Sequence, residues 1–285
     1  MKVKLGTVQE TMLIPLVIKA SETQRPKARI RDKKAVEILE QLELDTDKYD
    51  KFMSHEGVVA RTIMFDRALK SYLQQYPDAV CVNLGCGLDS RFSRVDNGSI
   101  LWYDIDLPDA IAVRKQFFQE EERVRLIEGS ILEPDWTRLV KKGKKVIFIA
   151  EGILMYFTRE QVKALLGVIS QEFTDYILLA ELMPLAAARM SKHHDTVKNT
   201  GAVFSWGTDS GKELEQLCPG LKLIKENSFN DVMKGFTFLF ISSPYRILPP
   251  ILLKHYNIMA SPWPPHRCPL SPPGRSPGPP PPGLR

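Results

Sequence analysis

The sequence predicts an α/β protein, a doubly wound and mostly parallel sheet behind an N-terminal helical cap. Three observations predict it. Seven short β-rich runs fall at 79–84, 100–105, 124–128, 145–150, 176–182, 221–225 and 236–242. Helical stretches lie between most of them, near 108–122, 133–141, 159–172 and 211–217, and such alternation implies parallel crossovers. Before Pro77 the apolar spacing is helical: Asp32 is set to cap a helix through Leu42, and Ser54 one running to about Tyr72.

The chain thus divides into a cap over 1–76, a core over 77–247 and a tail over 248–285. Within the core, 183–211 is too long for a simple connection and reads as a lid. The runs at 221–225 and 236–242 stand too close for a crossover helix, so they are expected to pair as an antiparallel hairpin at the sheet edge. Residues 243–285 hold 14 of the 21 prolines, a composition that gives polyproline II or disorder rather than a packed core.

At 285 residues and 44% hydrophobic, the chain can bury a large core. Its net charge of +5 is misleading. Arg246, Lys254, Arg267, Arg275 and Arg285 supply all of it, so residues 1–242 are formally neutral and carry no argument for nucleic acid. No apolar run approaches the ~20 residues of a membrane span. Thr11 to Ala20 is apolar after two lysines, but Glu10 and Pro15 interrupt it, against a signal peptide. Cys81, Cys86, Cys218 and Cys268 lack CxxC spacing, so four reduced thiols and a cytoplasmic location are expected. Oligomeric state leaves no mark in the sequence.

The first strand ends in Gly85-Cys86-Gly87, and glycines there let the backbone turn sharply beneath a ligand. The second strand ends in Asp104-Ile105-Asp106, with Asp106 19 residues after Gly87. A carboxylate at that place can accept both ribose hydroxyls of an adenine nucleoside, in a dinucleotide or in S-adenosylmethionine alike. The glycine turn discriminates. A dinucleotide turn wants a third glycine where Ser90 stands, and Asp89 would oppose a pyrophosphate. Asp89 suits the donors around the methionine end of a sulfonium cofactor. Gly129-Ser130-Ile131 follows the third strand, set against an adenine edge, and Glu151-Gly152 follows the fourth, over the crevice.

Several blocks in order resemble the leucine carboxyl methyltransferase family, in its bacterial tetracenomycin-type polyketide O-methyltransferase branch. They are Glu10 to Leu16, Ala60-Arg61-Thr62 with Phe65-Asp66, Asn83 to Arg91, Trp102 to Pro108, Ala150 to Phe157 and Phe204 to Gly207. The resemblance covers roughly residues 5–247. It implies a class I methyltransferase (Rossmann-like) fold, a seven-stranded sheet whose last strand is antiparallel, and S-adenosylmethionine as cofactor. Residue by residue, it assigns Arg61 to the methionine carboxylate and Gly85 to the cofactor turn. Asp106, with Asp104 two residues earlier, falls at the ribose acid, Ser130 and Ile131 at the adenine contact, and Glu151 at the acid after the fourth strand. A lysine that some relatives use near the methionine carboxylate has no secure counterpart.

Methyl transfer from a sulfonium to oxygen is an in-line displacement whose leaving group is a neutral thioether, so alignment and exclusion of water are the main tasks. A carboxylate acceptor needs no base, whereas a phenol or enol benefits from one. The expected partner is a small-molecule acceptor. Tyr156, His193 and His194 are the acceptor-side candidates, the paired histidines fitting a plain surface helix as well. A NAD-dependent oxidoreductase and a non-catalytic adenosyl-binding protein are the competing readings.

Overall fold

The computed structural model describes residues 6, 9–190, 196–229 and 231–232, with the backbone of 256–262. Helices α1 (Leu13–Gln24), α2 (Lys33–Gln41), α3 (Thr46–Tyr49) and α4 (Phe52–Gln75) precede the sheet, and α5 (Arg91–Val95), α6 (Pro108–Arg114) and α7 (Arg159–Glu172) lie between its strands. The Asp32 carboxylate accepts the Ala35 amide at 2.9 Å, capping α2 as its sequence predicts. Ser54 caps nothing. Helix α4 begins three residues earlier, with Lys51 at its N-cap, because the Lys51 carbonyl already accepts the His55 amide at 2.7 Å. The Ser54 hydroxyl instead lies 2.8 Å from Thr196 Oγ1.

Five strands pair in parallel in the order β3-β2-β1-β4-β5: β1 (Val80–Leu84), β2 (Leu101–Asp106), β3 (Val124–Glu128), β4 (Val146–Ala150) and β5 (Tyr176–Leu182). Every residue of β1, β4 and β5 is buried, since helices cover both faces of a parallel sheet and their strands read as unbroken apolar runs. One face packs under the C-terminal half of α4 through Phe65, Leu69 and Leu73. The other packs under α7 (Arg159–Glu172) through Val162, Leu165 and Ile169. A capping box between Thr158 and Gln161 fixes the start of α7. The N-terminal half of α4 leaves the sheet: Val58 and Val59 join α1 and the lid residues Met183, Val197 and Phe204 in a separate apolar cluster.

Four expectations are corrected. Parallel pairing stops at five strands. Strand β7 (Tyr256–Pro262) pairs antiparallel with β5, and β6 (Leu221–Ser228) antiparallel with β7, so the reversed strand is the last in the chain, as the resemblance implies, but lies between β5 and β6 and not at the edge. The expected partner of β6, at 236–242, lies outside the described residues. Short spacing reveals hairpins only, so it could not indicate a partner strand from 256–262, within the segment assigned to the tail. The helix expected at 108–122 is α6 (Pro108–Arg114), ending where the amides of Phe117 and Phe118 turn back to the Arg114 carbonyl at 2.9 Å. That expected at 133–141 is a 3-10 turn, Pro134–Arg138. Cys81 and Cys86 are free, but Cys218 is disulfide-bonded, against the expectation of four reduced thiols, since spacing tests only for nearby pairs. Among the described residues no helix is long and apolar enough to cross a membrane.

Candidate active site

Strand order reverses between β1 and β4, and their carboxyl ends open a crevice, the usual ligand position in such sheets. A cavity of about 400 Å³ lies there. Its floor is the turn after β1. Gly85 adopts φ +66°, and a Cβ on it would stand 2.7 Å from Ile153 Cδ1, so no other residue fits without displacing Ile153. The amides of Gly85 and Cys86 donate to the Ile105 carbonyl at 2.8 and 3.1 Å, tying the turn to β2.

Asp106 forms the lip of the cavity. Its carboxylate accepts the Gly87 amide at 2.7 Å and the Leu107 amide at 2.8 Å. Burial raises its pKa, and the two amide bonds only partly oppose the rise. Asp104 belongs elsewhere. It shares a face of β2 with Asp106 but lies two residues deeper in the sheet, buried and outside the cavity wall. There it accepts from Trp102 Nε1 at 2.9 Å, Asn83 Nδ2 at 3.0 Å and Arg114 at 2.6 Å. Through Arg114, which also donates to the Gly87 carbonyl at 2.9 Å, it braces the turn from outside the cavity lining.

Opposite the lip stands an ionic network. Arg61, on α4, approaches Glu151 Oε1 with Nε at 3.1 Å and Glu181 Oε2 with Nη1 at 3.3 Å. Burial works against its charge, but Glu181 and Glu151 outweigh it and raise the pKa, so the guanidinium is permanently cationic. Its Nε is buried without a well-directed hydrogen bond among the described residues. Glu181 also accepts the Gly152 amide at 2.7 Å. Arg91 donates to Glu151 at 2.5 Å, Asp89 at 2.8 Å and Asp66 at 2.7 Å. Asp89 also accepts from Lys19 at 2.7 Å. Burial would raise the Asp89 pKa, but Arg91, Lys19 and Arg94 hold it well below the usual range. Asp89 lines the cavity as expected, yet its oxygens already sit on protein cations.

Gly129, Ser130 and Ile131 close the wall beyond β3, where the Ser130 hydroxyl accepts the Leu132 amide at 3.2 Å. Tyr156 lies on the lid side, its ring 5.5 Å from that of Phe204, with its pKa raised chiefly by burial. Thr196, Val197 and Phe204 bring the segment expected to be a lid to the same cavity. His193 and His194 lie outside the described residues. The structure therefore gathers Arg61, Gly85, Cys86, Gly87, Asp89, Asp106, Ser130, Ile131, Glu151, Gly152 and Tyr156 around one cavity.

It adds Lys19 and Glu181, which sequence reasoning missed. Each had left a signal. Lys19 interrupts the apolar run of α1, and Glu181 is an acid inside a strand buried throughout. Charged residues are seldom fully buried unless paired.

The leucine carboxyl methyltransferase family model matches residues 12–170. The tetracenomycin polyketide synthesis O-methyltransferase TcmP of Streptomyces glaucescens is 29% identical over 232 residues, covering 80% of this chain and 86% of that protein. An S-adenosyl-L-methionine-dependent methyltransferase, dpfgK, of Gibberella zeae is 28% identical over 244 residues, covering 78% and 82%. Among solved structures, a Thermobifida fusca protein assigned as a methyltransferase superposes with a TM-score of 0.54 at 12% identity, over 73% of this chain and 82% of that one. A DUF574 family protein of Streptomyces avermitilis gives 0.53 at 12% identity, over 72% and 83%. These two show a likeness of fold, that of class I methyltransferases.

Proposed function

Since the chain belongs to the leucine carboxyl methyltransferase family and is an S-adenosylmethionine-dependent methyltransferase, we propose that the cavity between Asp106 and Arg61 is its donor site and that it methylates an oxygen of a small molecule. One observation carries the assignment of the site. The glycine turn has an anchored carboxylate on one side and a buried guanidinium on the other, and all three line one cavity of about 400 Å³, within the common range of small-molecule sites. Asp106 suits ribose hydroxyls, and Ser130 with Ile131 the adenine. Arg61 suits the methionine carboxylate, with Lys19 as a second cation. Arg61 lines the cavity while held 3.1 Å from Glu151 and 3.3 Å from Glu181, so a ligand carboxylate would share its guanidinium with those acids. A dinucleotide would instead set its pyrophosphate against Asp89 at a turn that carries Ser90 in place of the third glycine, which disfavours that reading.

S-adenosylmethionine supplies an electrophilic methyl on sulfur when bound. The residues of the chain hold, align and exclude water. The Glu151–Arg61–Glu181 clamp fixes one end of the donor, and the turn from Gly85 to Gly87 fixes its middle. Tyr156, kept a phenol by its raised pKa, is a hydrogen-bond donor rather than a base at neutral pH, fitting it to orient an acceptor oxygen. Apolar Met53, Val197 and Phe204 keep water from the acceptor side. Incubation with methyl-labelled S-adenosylmethionine and a metabolite extract tests the reading. An alkali-labile labelled ester marks a carboxylate acceptor and a stable ether a hydroxyl. Label found only on nitrogen, carbon or macromolecules would overturn the small-molecule oxygen acceptor.

A further inference from the structure

Helix α4 carries a glycine that the helix does not need. Gly57 is the sixth residue of a 24-residue α-helix, and its φ is not positive. The backbone therefore has no use for glycine there, which costs helix stability relative to alanine. Packing has no use for it either: apart from its chain neighbours and the backbone of its own helix, no atom of the described residues lies within 4 Å of the Cβ that another residue would add. At Gly85 the corresponding space is filled by Ile153.

What Gly57 borders is the cavity. Met53 and Arg61, one turn away on either side, share its face, and both line the cavity with Ser54 and Val58. Side chains on a helix lean toward its N-terminus, which would lay Arg61 over Gly57. Its guanidinium is drawn away, however, to Glu151 and Glu181. The open space at Gly57 thus lies between the donor-side guanidinium and the Ser54–Thr196 contact that ties α4 to the lid. Apolar Met53, Val58, Val197 and Phe204 line the same cavity.

We propose that Gly57 is a specificity-determining position, which by withholding a side chain opens the acceptor compartment between Arg61 and the lid to an apolar, ring-bearing acceptor. The inference rests on the donor site proposed above and extends it to the size and character of the acceptor. The compartment would exist mainly where Gly57 leaves it, so filling that position should close the acceptor side while sparing the donor side.

The test uses the full chain as wild type, Gly57→Ala and Gly57→Leu. Each is titrated with S-adenosylhomocysteine by calorimetry, then, at saturating S-adenosylhomocysteine, with β-naphthol by fluorescence. S-adenosylhomocysteine affinity should stay within about threefold in all three proteins, while β-naphthol affinity falls several-fold in Gly57→Ala and by more than about tenfold in Gly57→Leu. The melting temperature of Gly57→Ala should rise, which separates a filled compartment from a damaged fold. Unchanged β-naphthol affinity in Gly57→Leu overturns the proposal. So does a parallel loss of both ligands, which would assign Gly57 to the donor, and so does wild type that binds S-adenosylhomocysteine but not β-naphthol. Failure of wild type to bind S-adenosylhomocysteine would overturn the donor site itself, and the first titration shows it before the probe is added.

Discussion

At the scale of single residues, Arg61 shows how far local sequence falls short. In Glu56-Gly57-Val58-Val59-Ala60-Arg61-Thr62 nothing distinguishes it from a solvated helix arginine, yet it is clamped between Glu151 and Glu181. A planar guanidinium can meet both acids and still present a donor to a ligand carboxylate, which a lysine ammonium on a flexible stem does not. Arg61→Lys should therefore weaken S-adenosylmethionine binding by about tenfold or more despite the kept charge. It should leave decarboxylated S-adenosylmethionine, which lacks the carboxylate, equally poor in both proteins. Calorimetry with the two ligands checks this, and equal losses on both would make Arg61 a support of the fold instead. The two acids of β2 separate in the same way. Asp106→Ala should weaken donor binding by roughly 1.5–3 kcal/mol, the range for hydrogen bonds to a charged group, with the melting temperature nearly kept. Asp104→Ala should act on stability, about 3–5 kcal/mol, because it strands the buried Arg114 guanidinium. If Asp104→Ala left the denaturation midpoint unchanged while donor affinity fell, the assignments of the two acids would have to be exchanged.

At the scale of elements, the first helix brings Lys19 to the cavity and is itself held by an ionic latch. His55, buried on α4, places Nδ1 2.8 Å from Asp50 and Nε2 3.0 Å from Glu22 of α1. Both ring nitrogens meet carboxylates, so the pair favours the imidazolium. Burial and the nearby Arg25 oppose that charge, but the bonds to Asp50 and Glu22 outweigh them and raise the pKa above the ordinary 6.5. A raised histidine pKa adds stability that is complete below 6.5 and lost as pH climbs through the folded value. Glu22 behaves oppositely. Burial would raise it, but hydrogen bonds from Arg29 and His55 hold it at about 2, so its share is present above 4.5 and lost on acidification through about 2. The melting temperature should accordingly fall as pH rises above 6.5, and His55→Gln should flatten that limb while leaving the acid limb steep. An unaltered alkaline limb in His55→Gln would mean that the latch contributes nothing to it. None of this was legible in the sequence, where His55 is an isolated histidine beside the expected helix cap. Pairing across α1, the Asp50 turn and α4 exists only once the cap is packed. Lys19 and Glu181 were overlooked for the same reason, their partners lying far along the chain.

At the scale of the whole molecule, the parallel half of the sheet was legible because buried strands and their helices write local, periodic patterns. Strands β1 to β5 fall within a residue of the expected runs, and the glycine turn and Asp106 follow from them. Beyond the misjudged ends of local helices, what failed was long-range: a reversed strand drawn from 256–262 and the disulfide of Cys218 leave no periodicity to read. The parallel half also fixes where a ligand must act on stability. The cavity draws its walls from α1, α4, the ends of β1 to β5 and the lid, so a donor bound there joins the cap to the sheet and binds only the folded chain. Binding confined to the folded state stabilises by mass action, about 2.7 kcal/mol at a hundredfold excess over Kd. For a chain of this size that should raise the melting temperature by roughly 4–5 °C. S-adenosylmethionine and S-adenosylhomocysteine should both produce the rise, with a smaller one in Asp106→Ala at the same ligand concentration. NAD should produce none, since the turn carries Ser90 where a dinucleotide site wants its third glycine, and Asp89 beside it would face the pyrophosphate. Scanning calorimetry over a ligand series decides it. A rise with NAD and none with either adenosyl compound would mean that this cavity is not a methyl-donor site, whatever the rest of the fold resembles.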